Sequence, residues 1–182
     1  MEKMNRIVAL SLVFAGLLAP LAVSAGLPGV GSLDKLKEQA KAVLGPEQVK
    51  SYMEPYFAIQ KALAGDDLAG AKDGASQLKA LIESGDKVQA AKVLLNASVS
   101  LVDSADLATA RVAFNSLSEG LIVAAKTSGV QMDDVYVATC PMAADGESAS
   151  WLQEGATVAN PYLGTAMSTC GSVVPLNDKA GK

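Results

Sequence analysis

The sequence predicts an all-α fold: an up-down four-helix bundle with a short N-terminal helix and an irregular C-terminal segment packed on it. Residues 32–128 are rich in Ala, Leu, Lys, Asp and Glu and have little β-branched alternation, which favours helices. Within them, four apolar stripes follow one another at helical spacing, with brief turns between them. Short turns make neighbouring helices antiparallel, so four helices with one apolar face each bury those faces most simply in a bundle.

The first 25 residues have the three parts of a secretory signal peptide. Lys3 and Arg6 precede an apolar run over residues 7–23, and the small residues Ser24 and Ala25 follow it. The run is shorter than the roughly 20 apolar residues that a membrane span needs. We therefore expect cleavage after Ala25, no membrane span in the mature chain and an exported, periplasmic location.

The remaining chain is predicted to form one domain with short flanking segments. Residues 26–46 are expected to contain a short helix, around 33–44, and a linker, because Gly45 and Pro46 end that helix. Residues 47–173 form the bundle domain together with its C-terminal segment. Residues 174–182 are expected to form a flexible tail, because the final stretch, residues 177–182, is polar.

Each of the four bundle helices is predicted from one apolar stripe. The members of a stripe are mostly three or four positions apart, which places them on one helix face. The stripes are Tyr52, Tyr56, Ile59 and Leu63; Leu68, Ala71, Ala75, Leu78 and Ile82; Val88, Ala91, Leu95, Val99 and Val102; and Leu107, Ala110, Phe114, Leu117, Leu121 and Ala124. The separators contain Asp or Ser, which predicts side-chain caps ahead of the second, third and fourth helices.

The pattern changes after Gly129. Residues 135–138 indicate a short extended piece ahead of Cys140, and the residues beyond it contain Gly, Ser, Asn and Pro at the density of turns. A segment of this length without secondary structure needs something to order it. Both cysteines of the chain lie in this segment, together with its only tryptophan, Trp151.

Composition excludes several classes of function. The chain has no histidine, which removes the usual general base and most zinc sites, and no phosphate-binding loop or Cys-x-x-Cys pair is present. We therefore expect no enzyme activity. The net charge of the chain is −4 and its basic residues are scattered, which argues against nucleic acid as a partner.

The sulfur-containing residues of the last third invite two interpretations. Cys140 and Met142 form one half-site, and Met167 and Cys170 form another. Thiolate and thioether are soft ligands that suit Cu(I), and Trp151 would then lie over the ion as a cation-π face. The alternative is a Cys140–Cys170 disulfide that orders the segment, with the methionines and aromatic residues as apolar contacts on the bundle. The residues alone leave both interpretations open.

The C-terminal segment also resembles that of a known family. The chain is similar to a bacterial exported domain family of unknown function over residues 50–173, including its helical part. The motifs that carry the resemblance are Cys140-Pro141-Met142, Trp151-Leu152, Asn160-Pro161-Tyr162, and Met167 followed by Cys170-Gly171.

This resemblance implies a role in metal handling. Members of the family occur as free-standing exported proteins and as extensions of periplasmic adaptor subunits of copper and silver efflux pumps. Matched position by position, the family's aromatic positions fall on Trp151 and Tyr162, and its sulfur positions on the four sulfur residues named above. The chain departs from its relatives at Leu163, where many have an aromatic residue, and at Thr139, where some have histidine.

These observations lead to one functional hypothesis and one alternative. The hypothesis is a periplasmic protein that binds Cu(I) through Cys140, Met142, Met167 and Cys170 and buffers the ion or passes it to a component of a metal efflux system. The alternative is a non-catalytic structural or protein-interaction domain, stabilised by a Cys140–Cys170 disulfide and without a cofactor.

Overall fold

The computed structural model describes residues 43–144 and 146–177, which form four helices followed by a small antiparallel sheet. The helices are α1 (Pro46–Ala64), α2 (Leu68–Glu83), α3 (Lys92–Val102) and α4 (Leu107–Ser128). The strands are β1 (Val135–Ala144), β2 (Glu147–Glu154) and β3 (Ser172–Pro175), with one 3-10 turn at Gly164–Met167. The all-α prediction is therefore wrong, because the C-terminal segment is largely a sheet: the fold is mixed α and β.

The helix boundaries follow from local capping. Pro46 stands at the first position of α1, where its missing N–H costs nothing. Asp67 caps α2 by accepting a hydrogen bond from the Gly70 N–H, and Asp106 caps α4 by accepting one from the Thr109 N–H. These two caps confirm the predicted starts of the second and fourth helices.

The third helix differs from the prediction in both its start and its buried face. The Ser84-Gly85-Asp86 separator does not cap it: α3 begins at Lys92, after a series of turns, and has no side-chain cap. Its buried residues are Leu94, Ala97, Ser98 and Leu101, whereas the predicted stripe held Leu95, Val99 and Val102, which are only half-buried. Because Val and Leu lie on both sides of this short helix, the sequence pattern does not indicate which side faces the core.

The four helices pack in chain order, and α1 also lies against α4. Most members of the other three predicted stripes are buried in the core, among them Tyr56, Leu78 and Phe114. Small residues allow close approach: a Cβ at Gly74 of α2 would lie 2.8 Å from the Ile59 side chain of α1.

The sheet has the strand order β2-β1-β3, and both strand pairs are antiparallel. In its register Ala138 of β1 lies opposite Trp151 of β2 on one side and Val173 of β3 on the other. The sheet packs against α4 and α1, chiefly through β2. The sequence indicated the β1 strand but not its partners, because β2 has no β-branched residue and β3 has only four residues.

The predicted signal peptide and short N-terminal helix lie outside the described residues, apart from Val43 and Leu44 at the end of the predicted helix. At the other end, the Asn177 side chain accepts a hydrogen bond from the Met132 N–H and donates one to the Val130 carbonyl. No helix in the described part of the chain has the length and apolar character that crossing a membrane requires.

Candidate functional site

The two cysteines are joined in a disulfide. Cys140 lies fully buried in β1, and Cys170 lies half-buried just before β3. Their Cα atoms are 5.8 Å apart, inside the range typical of disulfides. The bond spans a sequence separation of 30 residues and ties the start of β3 to the centre of the sheet. The disulfide that the sequence left open is thus present in the structure.

The two methionines of the predicted sulfur set do not pack in the core. Met142 is 47% exposed and Met167 is 48% exposed, on β1 and at the end of the 3-10 turn respectively. The interpretation of these two side chains as apolar contacts that dock the segment is therefore wrong. Met53, on α1, is the methionine that fills the core.

Trp151 and Tyr162 lie together in a row of aromatic rings. The ring centroids of these two residues are 5.8 Å apart in an edge-to-face arrangement, and Tyr162 continues to Phe114 at 5.7 Å. Phe114 stacks on Tyr56 at 5.3 Å. Trp151 is fully buried, and its Nε1–H donates to Gln153 Oε1 at 3.1 Å. The row thus connects the C-terminal segment to α4 and α1 through packed rings.

The hydroxyl of Tyr56 links a helix to the sheet. It accepts a hydrogen bond from the Leu152 N–H of β2 at 3.0 Å and shares one of 2.8 Å with the Ser118 hydroxyl of α4. Burial raises the pKa of Tyr56 far above its ordinary value, and the neighbouring Tyr162 adds to the effect. The phenol is therefore a neutral structural group.

Asn160 organises the turn that carries Tyr162. Its Oδ1 accepts hydrogen bonds from the N–H groups of Tyr162 and Leu163, and its Nδ2 donates to the Cys170 carbonyl at 2.9 Å. Its own N–H donates to the Ser168 carbonyl. Asn160 is fully buried, so one side chain satisfies three backbone groups and ties the turn to the disulfide.

A second anchor joins the turn after α1 to α4 and to the 3-10 turn. Asp66 Oδ1 accepts a hydrogen bond from Arg111 Nη2 at 2.5 Å, and Oδ2 accepts bonds from both the N–H and the hydroxyl of Thr165. The Thr165 bonds, followed by that from Arg111, lower the pKa of Asp66 to about 2. Arg111 Nε also donates to the Pro161 carbonyl. This four-residue set is called the Asp66 clasp below.

The Asp66 clasp requires unusual backbone. Asp66 has a φ of 59°, in the left-handed region that Asp tolerates better than most residues. Gly164 has a φ of 55°, and a Cβ there would overlap the Asp66 carboxylate. The sequence suggested only that Asp66 belonged to a turn. Gly164 is an isolated glycine in the sequence, so nothing there predicts its close contact with Asp66.

A groove opens beside these anchors, between α4 and the end of β1. Its volume is about 620 Å³. Tyr162 is one of its lining residues, and the Tyr162 hydroxyl donates to Asn115 Oδ1 at 3.1 Å. The groove is lined by Ala108, Thr109, Arg111, Val112, Asn115, Ser116, Ala143, Ala144 and Tyr162. It is called the α4–β1 groove below.

The four sulfur residues of the predicted copper site are not all free to bind an ion in this form. Residues 43–144 and 146–177 contain no group of three or more His, Cys, Asp or Glu side chains placed to hold an ion. The thiolate is the form of cysteine that binds Cu(I). Here both cysteine sulfurs are bonded to each other in the disulfide. The set of four sulfur ligands therefore does not fit Cu(I) unless the disulfide is first reduced.

Comparison with known proteins adds one match. A family model described as a protein of unknown function (DUF3347) matches residues 52–133. The matched range covers most of the helical layer and ends before β1, so it stops short of both cysteines and of the motifs from Cys140 onwards. No curated protein and no solved structure matches the chain at a significant level.

Proposed function

We propose that the protein is a non-catalytic interaction domain that works in the periplasm and presents the α4–β1 groove to a partner protein. The observation that carries this proposal is the Cys140–Cys170 disulfide, which holds the strand and turn on one side of the groove. Disulfides persist in oxidising compartments, so this bond is compatible with export. A groove that is already rigid before a partner binds loses less conformational entropy on association.

The bonding of the polar side chains supports a non-catalytic role. The chain has no histidine. In the part of the chain that the structure describes, every buried side-chain nitrogen or oxygen has a hydrogen-bond partner. Catalytic groups are often left poised with perturbed pKa values in clefts. The strongly shifted groups Asp66, Tyr56 and Tyr162 are instead engaged in anchoring bonds.

The lining of the groove indicates the kind of partner. Val112 is exposed on α4, and Ala143 and Ala144 line the groove from β1. Among the described residues that line the groove, Arg111 is the only charged one, and its guanidinium is already bonded to Asp66 and to backbone carbonyls. The groove therefore suits an apolar side chain flanked by neutral hydrogen-bonding groups and is poorly suited to phosphate or nucleic acid.

Site-specific photocrosslinking tests this proposal in cells that make the protein. A benzophenone amino acid in place of Val112 should give a crosslinked product of defined mass with one other protein. The same amino acid in place of Gln77, which is exposed on α2 away from the groove, is the matched control. The absence of a product specific to position 112, or equal products at both positions, would argue against the groove as a docking site.

A second candidate function is Cu(I) handling by the reduced protein. The resemblance to efflux-associated proteins supports it, as does the exposure of Met142 and Met167 next to the two cysteines in sequence. Thioethers at the surface are accessible to a soft ion. This candidate requires reduction of the disulfide, because thiolates are needed to complete the ligand set.

Titration of Cu(I) against a chromophoric chelator separates the two functions. The interaction domain should not compete for Cu(I) when it is oxidised. Competition by the reduced protein that is lost in Met142→Leu/Met167→Leu, and kept in the control Met132→Leu, would favour copper handling. Met132 is a suitable control because it is half-buried and lies outside the stretch of chain between Cys140 and Cys170.

A further inference from the structure

A second depression lies beside α4, where α3 ends and α4 begins. Its volume is about 440 Å³. Ser100 lines it from α3, and Asp103, Ser104 and Ala105 line it from the turn that follows. Among the described residues that line it, Asp103 is the only charged one. It is called the Asp103 depression below.

The Asp103 depression and the α4–β1 groove share one strip of α4. Thr109, Val112 and Ser116 line both, and their spacings of three and four place them on one helix face. Arg111 lines only the groove, and Ala113 lines only the depression, so the two sites lie on either side of this strip. Val112 is 65% exposed between them. A partner seated on Val112 can therefore reach both sites, which are about one helix diameter apart, roughly 10 Å.

Asp103 occupies a position that does not favour a carboxylate. It is the C-cap residue of α3, and no basic residue lies in the last turn of that helix. Because the helix dipole places partial negative charge at this end, a carboxylate here is repelled. The Asp103 carboxylate is exposed and has no hydrogen-bond or ion-pair partner among the described residues. A residue that opposes the local stability without a compensating contact is a candidate for function.

The same end of α3 already attracts one cation. Lys72 of α2 donates a hydrogen bond from Nζ to the Ser104 carbonyl oxygen at 2.9 Å. The ammonium thus lies where the carbonyl groups at the end of a helix favour positive charge. Lys72 forms no ion pair with Asp103 in the described part of the chain. The exposed carboxylate therefore adds a second attraction for a cation at this end of the helix.

We propose that the partner of the α4–β1 groove also places a lysine or arginine side chain in the Asp103 depression. The partner crosses α4 at Val112, with an apolar side chain in the groove and the cationic group paired with the Asp103 carboxylate. This inference rests on the proposed function and adds the charge that the partner carries. A complementary charge of this kind speeds association and disfavours partners that are acidic at this position.

Photocrosslinking from both sides of the strip tests whether one partner reaches both sites. Ala105 is exposed and lines the Asp103 depression. In cells that make the protein, a benzophenone amino acid in place of Ala105 should crosslink to the same protein as one in place of Val112. A product at position 112 with no product, or a different protein, at position 105 would overturn this inference alone. The absence of a product at both positions would overturn the proposed function as well.

Charge reversal at Asp103 tests the cationic group. Asp103→Lys should lower the crosslink yield from position 112 at least about five-fold, because like charges then meet in the complex. Asp103→Glu keeps the charge and should keep the yield. Glu54→Lys makes the same change of charge at an exposed position of α1 that lines neither site, and is the control. A full yield in Asp103→Lys, or an equal loss in Glu54→Lys, would contradict the inference and leave the groove as a docking site.

Thermal unfolding of the same variants separates lost binding from lost folding. Asp103→Lys should melt no lower than the wild type, because a positive charge at the end of α3 is favoured by the helix dipole. A lower melting temperature would show that the carboxylate stabilises the fold, which would contradict its assignment to the partner.

Discussion

Asn160 and Cys170 are joined by a hydrogen bond of 2.9 Å from the side-chain amide of the first to the carbonyl oxygen of the second. Cys170 is in turn bonded to Cys140 in β1. A buried polar anchor and a covalent one thus act on the same residue. Together they explain how residues 155–171, which contain only one 3-10 turn, keep a defined path between β2 and β3.

Asn160→Ala should destabilise the protein by roughly 2–4 kcal/mol, because buried backbone groups at Tyr162, Leu163 and Cys170 lose their partner. Urea unfolding monitored by tryptophan fluorescence measures this loss. Asn96→Ala, at an exposed position of α3, is the control and should change stability by less than about 0.5 kcal/mol. Similar losses in the two variants would contradict the role given to Asn160.

Removal of the disulfide should lower the free energy of unfolding by roughly 3–4 kcal/mol, because the bond restricts a loop of about 30 residues in the unfolded chain. The measurement compares the wild type with and without reductant. In the double variant Cys140→Ser/Cys170→Ser, reductant should have no further effect. If reductant leaves the wild-type stability unchanged, the disulfide does not order the segment.

Tyr56→Phe should destabilise the protein by roughly 1–3 kcal/mol, because the buried Leu152 N–H and the Ser118 hydroxyl lose a shared partner. Thermal unfolding followed by circular dichroism measures the change. Tyr136→Phe, on a half-buried ring of β1, should have a smaller effect. An equal or larger effect at Tyr136 would show that the Tyr56 hydroxyl does not link the helix to the sheet.

The Asp66 clasp should make stability depend on pH in acid. The pKa of Asp66 is lowered from 3.8 to about 2 in the folded protein, so the unfolded state binds more protons between these values. The contribution of the carboxylate to stability is present above about pH 4 and is lost as the pH falls towards 2. Asp66→Asn should therefore show a weaker loss of stability over this range than the wild type.

Urea unfolding measured at about four pH values between pH 5 and pH 2 gives this comparison. Thr165→Val, which removes one of the bonds to the carboxylate, should behave between the wild type and Asp66→Asn. Parallel curves for all three proteins would mean that the clasp does not affect the acid stability.

The sequence predicts the first, second and fourth helices well for a physical reason, whereas it misplaces the start and the buried face of the third. Stripes such as Leu107 to Leu121 repeat at the helix period, and Asp67 and Asp106 are capping residues with a local effect. The sheet depends instead on contacts distant in sequence. Trp151 and Leu152 lie in a strand because they pack against α1 and α4, which their own segment does not encode.

The candidate site was predictable only in part for the same reason. The sequence leaves Cys140 and Cys170 open between a disulfide and a set of metal ligands, because cysteine serves in both roles. Asp66 and Arg111 are 45 positions apart, and the residue types alone give no sign that they meet. Hydrogen bonds between such distant residues depend on the finished fold, so composition and periodicity cannot reveal them.

The central claim, that the Cys140–Cys170 disulfide makes the segment a rigid part of an interaction domain, is tested most directly by intact mass spectrometry. The measurement uses the protein purified without reductant from the cells that make it, before and after treatment with a thiol-alkylating reagent. We predict a mass two hydrogens below that of the dithiol form and no alkylation. Two alkylated cysteines would contradict the claim and make the copper-handling function the better account.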